Sequence, residues 1–293
     1  MDNHKLKGRP SFPFETIGVA IAFSPRLEAI LAEAKILSDA FNAKLLLIHV
    51  GEQAATKETK LEELLKKIGI DKSRIEVIWQ NGNPVATLLE LCKTHVVDLL
   101  VLGALQKENV LRYYLGSVAR KVSRQAKCSV LLLTDPKMEG TLYRKIVVNG
   151  MENQKTTHTI NTAVYFAKHL NAQDITVATE VHQSGLTIAM ATESTAVEAS
   201  RFKKELAEEE LNKVHAIVTN ICKKEGIEIS EKQIKGQPGF AIRQYAESKK
   251  ADLLVINSPD MKYGIIDRIF THDMEYILEN IPCNILIVHS RTA

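Results

Sequence analysis

Aromatic residues are scarce in this chain, at 5% of it. Its cores must therefore rest on Leu, Ile, Val and Ala, the side chains that suit parallel strands covered by helices on both faces. Charge of one sign is scarce too. A formal surplus of +3 over 293 residues falls short of the basic face that nucleic-acid binding requires. Part of it sits in Lys5, Lys7 and Arg9, which read as a short solvated tail. No apolar run reaches the roughly 18–20 residues that span a bilayer, and Pro10 and Pro13 interrupt any secretory apolar core. A cytoplasmic location is expected, with neither nucleic acid nor membrane as partner. The four cysteines, Cys92, Cys128, Cys222 and Cys283, show no C-x-x-C and no Cys/His ligand spacing, so they read as reduced and mostly buried. Also missing are G-x-x-x-x-G-K-[ST], H-E-x-x-H and G-x-S-x-G. Their absence excludes, at motif level, P-loop ATPases, zincins and nucleophile-elbow hydrolases.

What is present is length enough for two domains of about 150 residues each, and a regular alternation of strand and helix. Thr16–Phe23 is a strand-length apolar run closed by Ser24-Pro25, which carries helix-start chemistry. Arg26–Ala43 follows as an amphipathic helix with Leu27, Ile30, Leu31, Ala34 and Leu37 on one stripe. Lys44–Val50, Arg74–Trp79, Asp98–Leu102 and Ser129–Leu133 read as further strands. Between them lie helices at Lys60–Ile70, which Gly69 ends, at Val85–His95 after an Asn81–Pro84 turn, and at Val118–Ala126. This order implies right-handed crossovers and an α/β fold with a five-stranded parallel sheet. Asp135–Tyr143 reads as a linker.

The second half repeats the first. Phe41-Asn42-Ala43-Lys44 recurs as Leu170-Asn171-Ala172-Gln173, an offset of 129 (41 to 170). Gly82-Asn83-Pro84 recurs as Gly236-Gln237-Pro238 and Asp98-Leu99-Leu100-Val101 as Asp252-Leu253-Leu254-Val255, both offset by 154 (82 to 236, 98 to 252). Cys128 recurs as Cys283, one residue further on. The change of offset places 25 extra residues (154 less 129) between the second and third strands of the second copy. They begin in the small-residue stretch Ser184–Ser200 and run into a charged helix, Arg201–Lys224. Two readings stand: a longer helix with a surface loop, or a lid or partner-binding insertion. The expected organisation is a tail at 1–15, a first domain at 16–134, a linker at 135–144 and a second domain at 145–293 with an insertion near 182–200.

Chemistry concentrates in Leu102–Leu133. Gly103 follows a buried strand, and twelve residues separate it from Gly116-Ser117 at a helix start. Ligands of open α/β sheets sit at the carboxyl ends of the strands. A glycine there lets a ligand approach the backbone. A Gly-Ser helix start offers free N–H groups, a hydroxyl and the positive dipole end to a phosphate. The other reading is that Ser117 caps its helix, a contribution of about 1 kcal/mol. Arg112, inside the loop, is the basic residue placed for ligand contact, whereas Arg120, Lys121 and Arg124 read as a solvated helix face. His49, late in its strand, reads as a packing residue or as part of the cleft wall.

The segment Asp98–Leu133 resembles the signature of the universal stress protein family, whose nucleotide-binding members carry G-x-x-G, nine residues, then G-[ST]. Gly103 takes the first position and Gln106 stands at the second glycine. Lys107–Leu115 make up the nine residues before Gly116-Ser117, and the tail Val118–Leu133 fits as well. The resemblance covers the whole chain in two tandem copies. It implies ATP with magnesium as the cofactor of the first domain, or none. The candidate contacts are Ser24, Val50, Gly103, Gln106, Arg112, Gly116, Ser117 and Val118. The family's ATP-binding members also carry an aspartate at the end of the first strand, where this chain has Ala22. One lost charged hydrogen bond costs about 1.5–3 kcal/mol, roughly ten- to a hundred-fold in affinity. In the second copy Asn257, Asp260 and Phe270-Thr271 replace the motif and Met151 stands at the aspartate position, so that copy is expected to be structural or to bind something else.

The resemblance further implies pairing through the last strands, Ser129–Leu133 and Asn284–Val288. The two copies would form a pseudo-dimer within one chain, with homodimerisation of whole chains left open. The functional expectation is a non-catalytic stress-response or signalling module with a weak or altered nucleotide site. The alternatives are a nucleotide-free interaction scaffold working through Ser184–Ser200 and a slow nucleotide hydrolase.

Overall fold

The computed structural model describes residues 12–106, 113–151, 155–180, 196–258 and 274–289. The first half runs β1 (Thr16–Ala20), α1 (Leu27–Phe41), β2 (Lys44–Val50), α2 (Ala55–Ile68), β3 (Ile75–Gln80), α3 (Pro84–Thr94) and β4 (Leu99–Gly103). A two-stranded ribbon of β5 (Leu105–Gln106) and β6 (Tyr113–Tyr114) comes next, then α4 (Ser117–Gln125) and β7 (Ser129–Leu133). The second half runs β8 (Lys145–Asn149), α5 (Thr156–His169), β9 (Asp174–Glu180), α6 (Ala196–Glu225), β10 (Ser230–Ile234), α7 (Phe240–Ser248), β11 (Leu253–Asn257) and β12 (Asn284–Val288).

Among the described residues these strands form one ten-stranded sheet, in the order β10-β9-β8-β11-β12-β7-β4-β1-β2-β3. Within each half all pairings of this sheet are parallel. Apolar runs buried on both faces demand helices on both sides. One face is covered by α1, α2, α5 and α6, and the other by α3, α4, α7 and the helical residues 274–279.

The repeat seen in the sequence is a repeat of backbone geometry. Asn42 (φ 51°) and Asn171 (φ 54°) both follow a helix in the left-handed region that Asn tolerates. Asp98 and Asp252 both accept from the amide that opens the first strand of their half, Thr16 N at 2.8 Å and Lys145 N at 2.9 Å. Gly82 (φ 147°) and Gly236 (φ 144°) turn the chain into α3 and towards α7. One detail differs from the sequence alignment. Lys44 lies opposite Thr16, but its counterpart opposite Lys145 is Asp174, not Gln173. The amides of Gln173 and Asp174 both donate to Arg144 O, at 2.8 and 2.9 Å, and absorb one residue there. β9 therefore runs 130 residues behind β2 (44 to 174), and 24 extra residues rather than 25 precede β10. Of the small-residue stretch, 184–195 lie outside the described residues, and 196–200 form the first part of α6, which is longer than the predicted Arg201–Lys224.

The halves meet where β12 pairs antiparallel with β7, with Leu286 opposite Leu131. Both strands are fully buried. Beside this seam lies a buried polar lock. Glu33 of α1, wholly inaccessible, accepts from Tyr143 Oη (2.5 Å) and Thr141 N (2.8 Å). Asn284 of β12 accepts from Thr134 N (2.9 Å) and Thr134 Oγ1 (3.0 Å), and its amide faces Tyr143 Oη at 3.4 Å. Burial, followed by the Glu33 charge, pushes the Tyr143 hydroxyl well above its ordinary range. The lock forces the linker close to α1: a Cβ on Gly140 would lie 1.9 Å from Ile36 Cδ1. The helix face predicted to be solvated joins the seam as well. Arg120 pairs with Glu275, and Arg124 lies 3.3 Å from the same carboxylate.

Candidate functional site

In the first half the direction of winding reverses at β1, which pairs with β2 on one side and β4 on the other. The carboxyl ends of β1 and β4 therefore flank the crevice in which open α/β sheets hold ligands. Ala22, Ser24, Val50 and Gly103 all sit at that end of the sheet. Ala22 is exposed and its carbonyl accepts from Ser24 N at 2.8 Å. Ser24, half-buried, receives Leu27 N on its carbonyl at 3.1 Å. Val50 is half-buried at the last position of β2.

The ribbon accounts for the spacing of the glycine motif. Leu105 pairs with Tyr114 and Gln106 with Tyr113, so the chain leaving β4 at Gly103 returns beside itself as it enters α4 at Gly116. Gly116 is the cap residue of α4, and no side-chain capping hydrogen bond is present. Ser117 is the first helical residue and is exposed, and Val118 is half-buried against the α3–α4 core. The cap position is thus held by a residue with no side chain to spare, and the Ser117 hydroxyl is not used as a cap. Gly103 faces α1, where a Cβ would meet Ile30 Cδ1 at 3.1 Å. Gln106 lies in the ribbon, and Arg112 lies outside the described residues.

The structure adds a residue that the motif did not suggest. Arg26, at the cap of α1, donates through Nη1 to Ala104 O (2.5 Å) and through Nη2 to Thr134 O. Its guanidinium therefore spans the carboxyl ends of β4 and β7. Lys155 holds the matching cap position of α5 and donates to Ser258 O (3.3 Å) and Ser258 Oγ (3.1 Å). The signal was in the repeat, since Arg26 and Lys155 stand 129 residues apart (26 to 155). His49 proves to be a packing residue. It is 9% exposed, its Nδ1 lies 3.1 Å from Ile21 O, and Phe23 and Trp79 meet it edge-on with ring centres 5.1 Å away.

At the matching positions the second half carries polar side chains that bond within it. Asn257, in the place of Gly103, accepts from Thr159 Oγ1, and Thr159 stands in the place of Ile30. Asn149 Oδ1 accepts from Met151 N at 3.2 Å. Glu180, 1% exposed in the place of Val50, accepts from Gly239 N (3.0 Å) and Ile242 N (2.8 Å) at the start of α7. Asp260 and Phe270-Thr271 lie outside the described residues.

The phosphate end of a nucleotide suits the first-half crevice, which offers helix-start amides without a capping side chain. Magnesium has less support there. Ala22 brings no carboxylate, and among the described residues no group of three His, Cys, Asp or Glu side chains could hold a metal ion. Magnesium would have to arrive on the phosphates. Among the described residues no helix is long and apolar enough to cross a membrane.

Residues 52–134 and 142–289 match the sequence pattern of the universal stress protein family. A universal stress protein of Methanocaldococcus jannaschii is 33% identical over 94 residues, which are 32% of this chain and 52% of that relative. The match thus spans about half the length of that protein. Two solved structures share the whole architecture. A universal stress protein of Archaeoglobus fulgidus matches with a TM-score of 0.67 at 13% identity, covering 94% of this chain and 98% of that one. A Pseudomonas aeruginosa protein of unknown function matches with a TM-score of 0.68 at 13% identity, covering 99% and 95%. At these identities the likeness shows the fold.

Proposed function

The chain belongs to the universal stress protein family, and on that premise we propose that it is a non-catalytic cytoplasmic stress-response module. In this reading the first half binds a nucleotide through its phosphates and the second half serves as a scaffold. The observation that carries the reading is the start of α4, where Gly116 caps the helix with no side-chain hydrogen bond and Ser117 is exposed. The β5–β6 ribbon holds that helix start beside Gly103 at the crevice. Uncapped N–H groups with the helix dipole behind them favour an anion. The missing carboxylate at Ala22 weakens the ribose or base end and leaves the phosphate end intact, so affinity is expected to be roughly ten- to a hundred-fold below that of a site with the aspartate.

Calorimetric titration of the full chain with ATP and magnesium tests this, with Gly116→Val run alongside. Saturable heat that disappears in the variant is the expected result. No heat with either protein would remove the nucleotide and leave the nucleotide-free scaffold as the function of both halves.

A further inference from the structure

A pair of cysteines lies at the opposite end of the first-half sheet. Cys92, near the end of α3, and Cys128, just ahead of β7, are 5% and 2% exposed. Both belong to one buried core cluster. Both line one groove of about 370 Å³ between the ends of α3 and α4, whose charged members are Glu90, Lys93 and Lys127. The second half does not repeat the pair: Cys283 stands in the place of Cys128, but Ala246 stands in the place of Cys92. Ala246 is itself buried in the matching core. Packing at this position therefore does not require sulfur, and only the first half sets two thiols along one groove.

We propose that Cys92 and Cys128 are an oxidant-modifiable dithiol that closes to an intramolecular disulfide when a hydroperoxide enters the groove. One thiolate attacks a peroxide oxygen, the O–O bond breaks, and a sulfenic acid and hydroxide form. The second sulfur then attacks the sulfenic sulfur, an S–S bond forms and water leaves. With hydrogen peroxide the balance is two thiols and one peroxide giving one disulfide and two waters. The dithiol loses the two electrons that the peroxide gains. The bond would tie the end of α3 to the root of β7 and close a loop containing β4, Gly103, Gly116-Ser117 and α4. Oxidation would thus constrain the crevice segment from its far side.

Interaction with the Cys128 thiol, with burial next, pushes the Cys92 thiol well above its ordinary range. The reacting species is the thiolate, so the reaction is slow at neutral pH and quickens as pH rises.

The test uses the full chain treated with hydrogen peroxide at pH 7 and at a more alkaline pH, followed by intact-mass measurement and peptide mapping. The expected product is lighter by two hydrogens, joins the Cys92 and Cys128 peptides, forms faster at the higher pH and reverts with dithiothreitol. Cys283→Ser should behave as the parent chain, and Cys92→Ser should give no cross-link. Oxygen added at Cys92 or Cys128 without a cross-link would overturn the proposal. So would a cross-link running to Cys222 or Cys283, or both thiols surviving peroxide. The parent chain alone decides, even if a serine variant folds poorly.

Discussion

Position by position, the two halves solve the same crevice in opposite ways. At the ends of their first and fourth strands and the start of their first helix, the first half has Ala20, Leu27, Ile30, Gly103 and Ala104. The second half has Asn149, Thr156, Thr159, Asn257 and Ser258 at the same places. In the first set no side chain competes for the backbone. In the second, Thr159 donates to Asn257 and Thr156 to Met151 O, while Asn149 accepts from Met151 N and Ser258 from Lys155 Nζ, which is what burial demands of polar groups. The change is concerted because a lone exchange would clash or leave a buried polar atom unpaired. At these positions the second half thus carries polar side chains that are engaged within the half itself.

The helix that follows the third strand shows the same shift. In the first half Asn83 caps α3 locally, accepting Val85 N at 3.1 Å and Ala86 N at 3.2 Å. In the second half Gln237 replaces it, and the acceptor becomes Glu180, 59 residues from Gly239 in sequence. A local cap has become a tertiary one.

Three single substitutions, two of them with a compensating second change, bear on this comparison. Glu180→Val, which installs the first-half residue, should have the largest effect. It leaves the Gly239 and Ile242 amides without their carboxylate and should cost about 2–3 kcal/mol of stability, read by denaturant unfolding. A loss near zero would mean that α7 is capped otherwise. Gly103→Asn should cost about 1–3 kcal/mol, because its Cβ meets Ile30. Adding Ile30→Thr should recover part of that loss by recreating the Thr159–Asn257 pair. Strict additivity in the double-mutant cycle would show that the two exchanges are unrelated. Charge reversal at the seam, Glu275→Arg, should cost about 1 kcal/mol or less, since the partners are partly exposed. The effect should shrink in high salt, and Arg120→Glu in the same chain should reverse it.

Much of this was legible beforehand. The ordering of strands and helices and the repeat follow from apolar runs and recurring Asn, Gly and Asp positions, because each recurring residue meets a local backbone requirement; pairing through Ser129–Leu133 and Asn284–Val288 was an expectation from the family resemblance. Gly69 ended its helix as read, although α2 begins five residues before the predicted Lys60, at Ala55. The early part of α2 is polar and exposed and carries no periodic signal. Arg26 was missed because its trace in the sequence is a single basic residue recurring as Lys155, and a cation bound to backbone carbonyls leaves no motif beyond that. Arg120 and Arg124 were misread because their partner, Glu275, lies 155 residues beyond Arg120 (120 to 275).

Local chemistry written in the chain set the two-copy α/β plan, the parallel sheets and the residues at the crevice, since strand period, helix stripe and turn residues are short-range properties. Long-range contacts settled the rest: that β7 and β12 merge two sheets into one, that Glu33, Tyr143 and Asn284 lock the linker, and that Asn257 is engaged by Thr159 and Glu180 by the first amides of α7. Those outcomes depend on which distant groups meet once the backbone is folded, and burial makes each meeting obligatory because an unpaired polar group inside is costly.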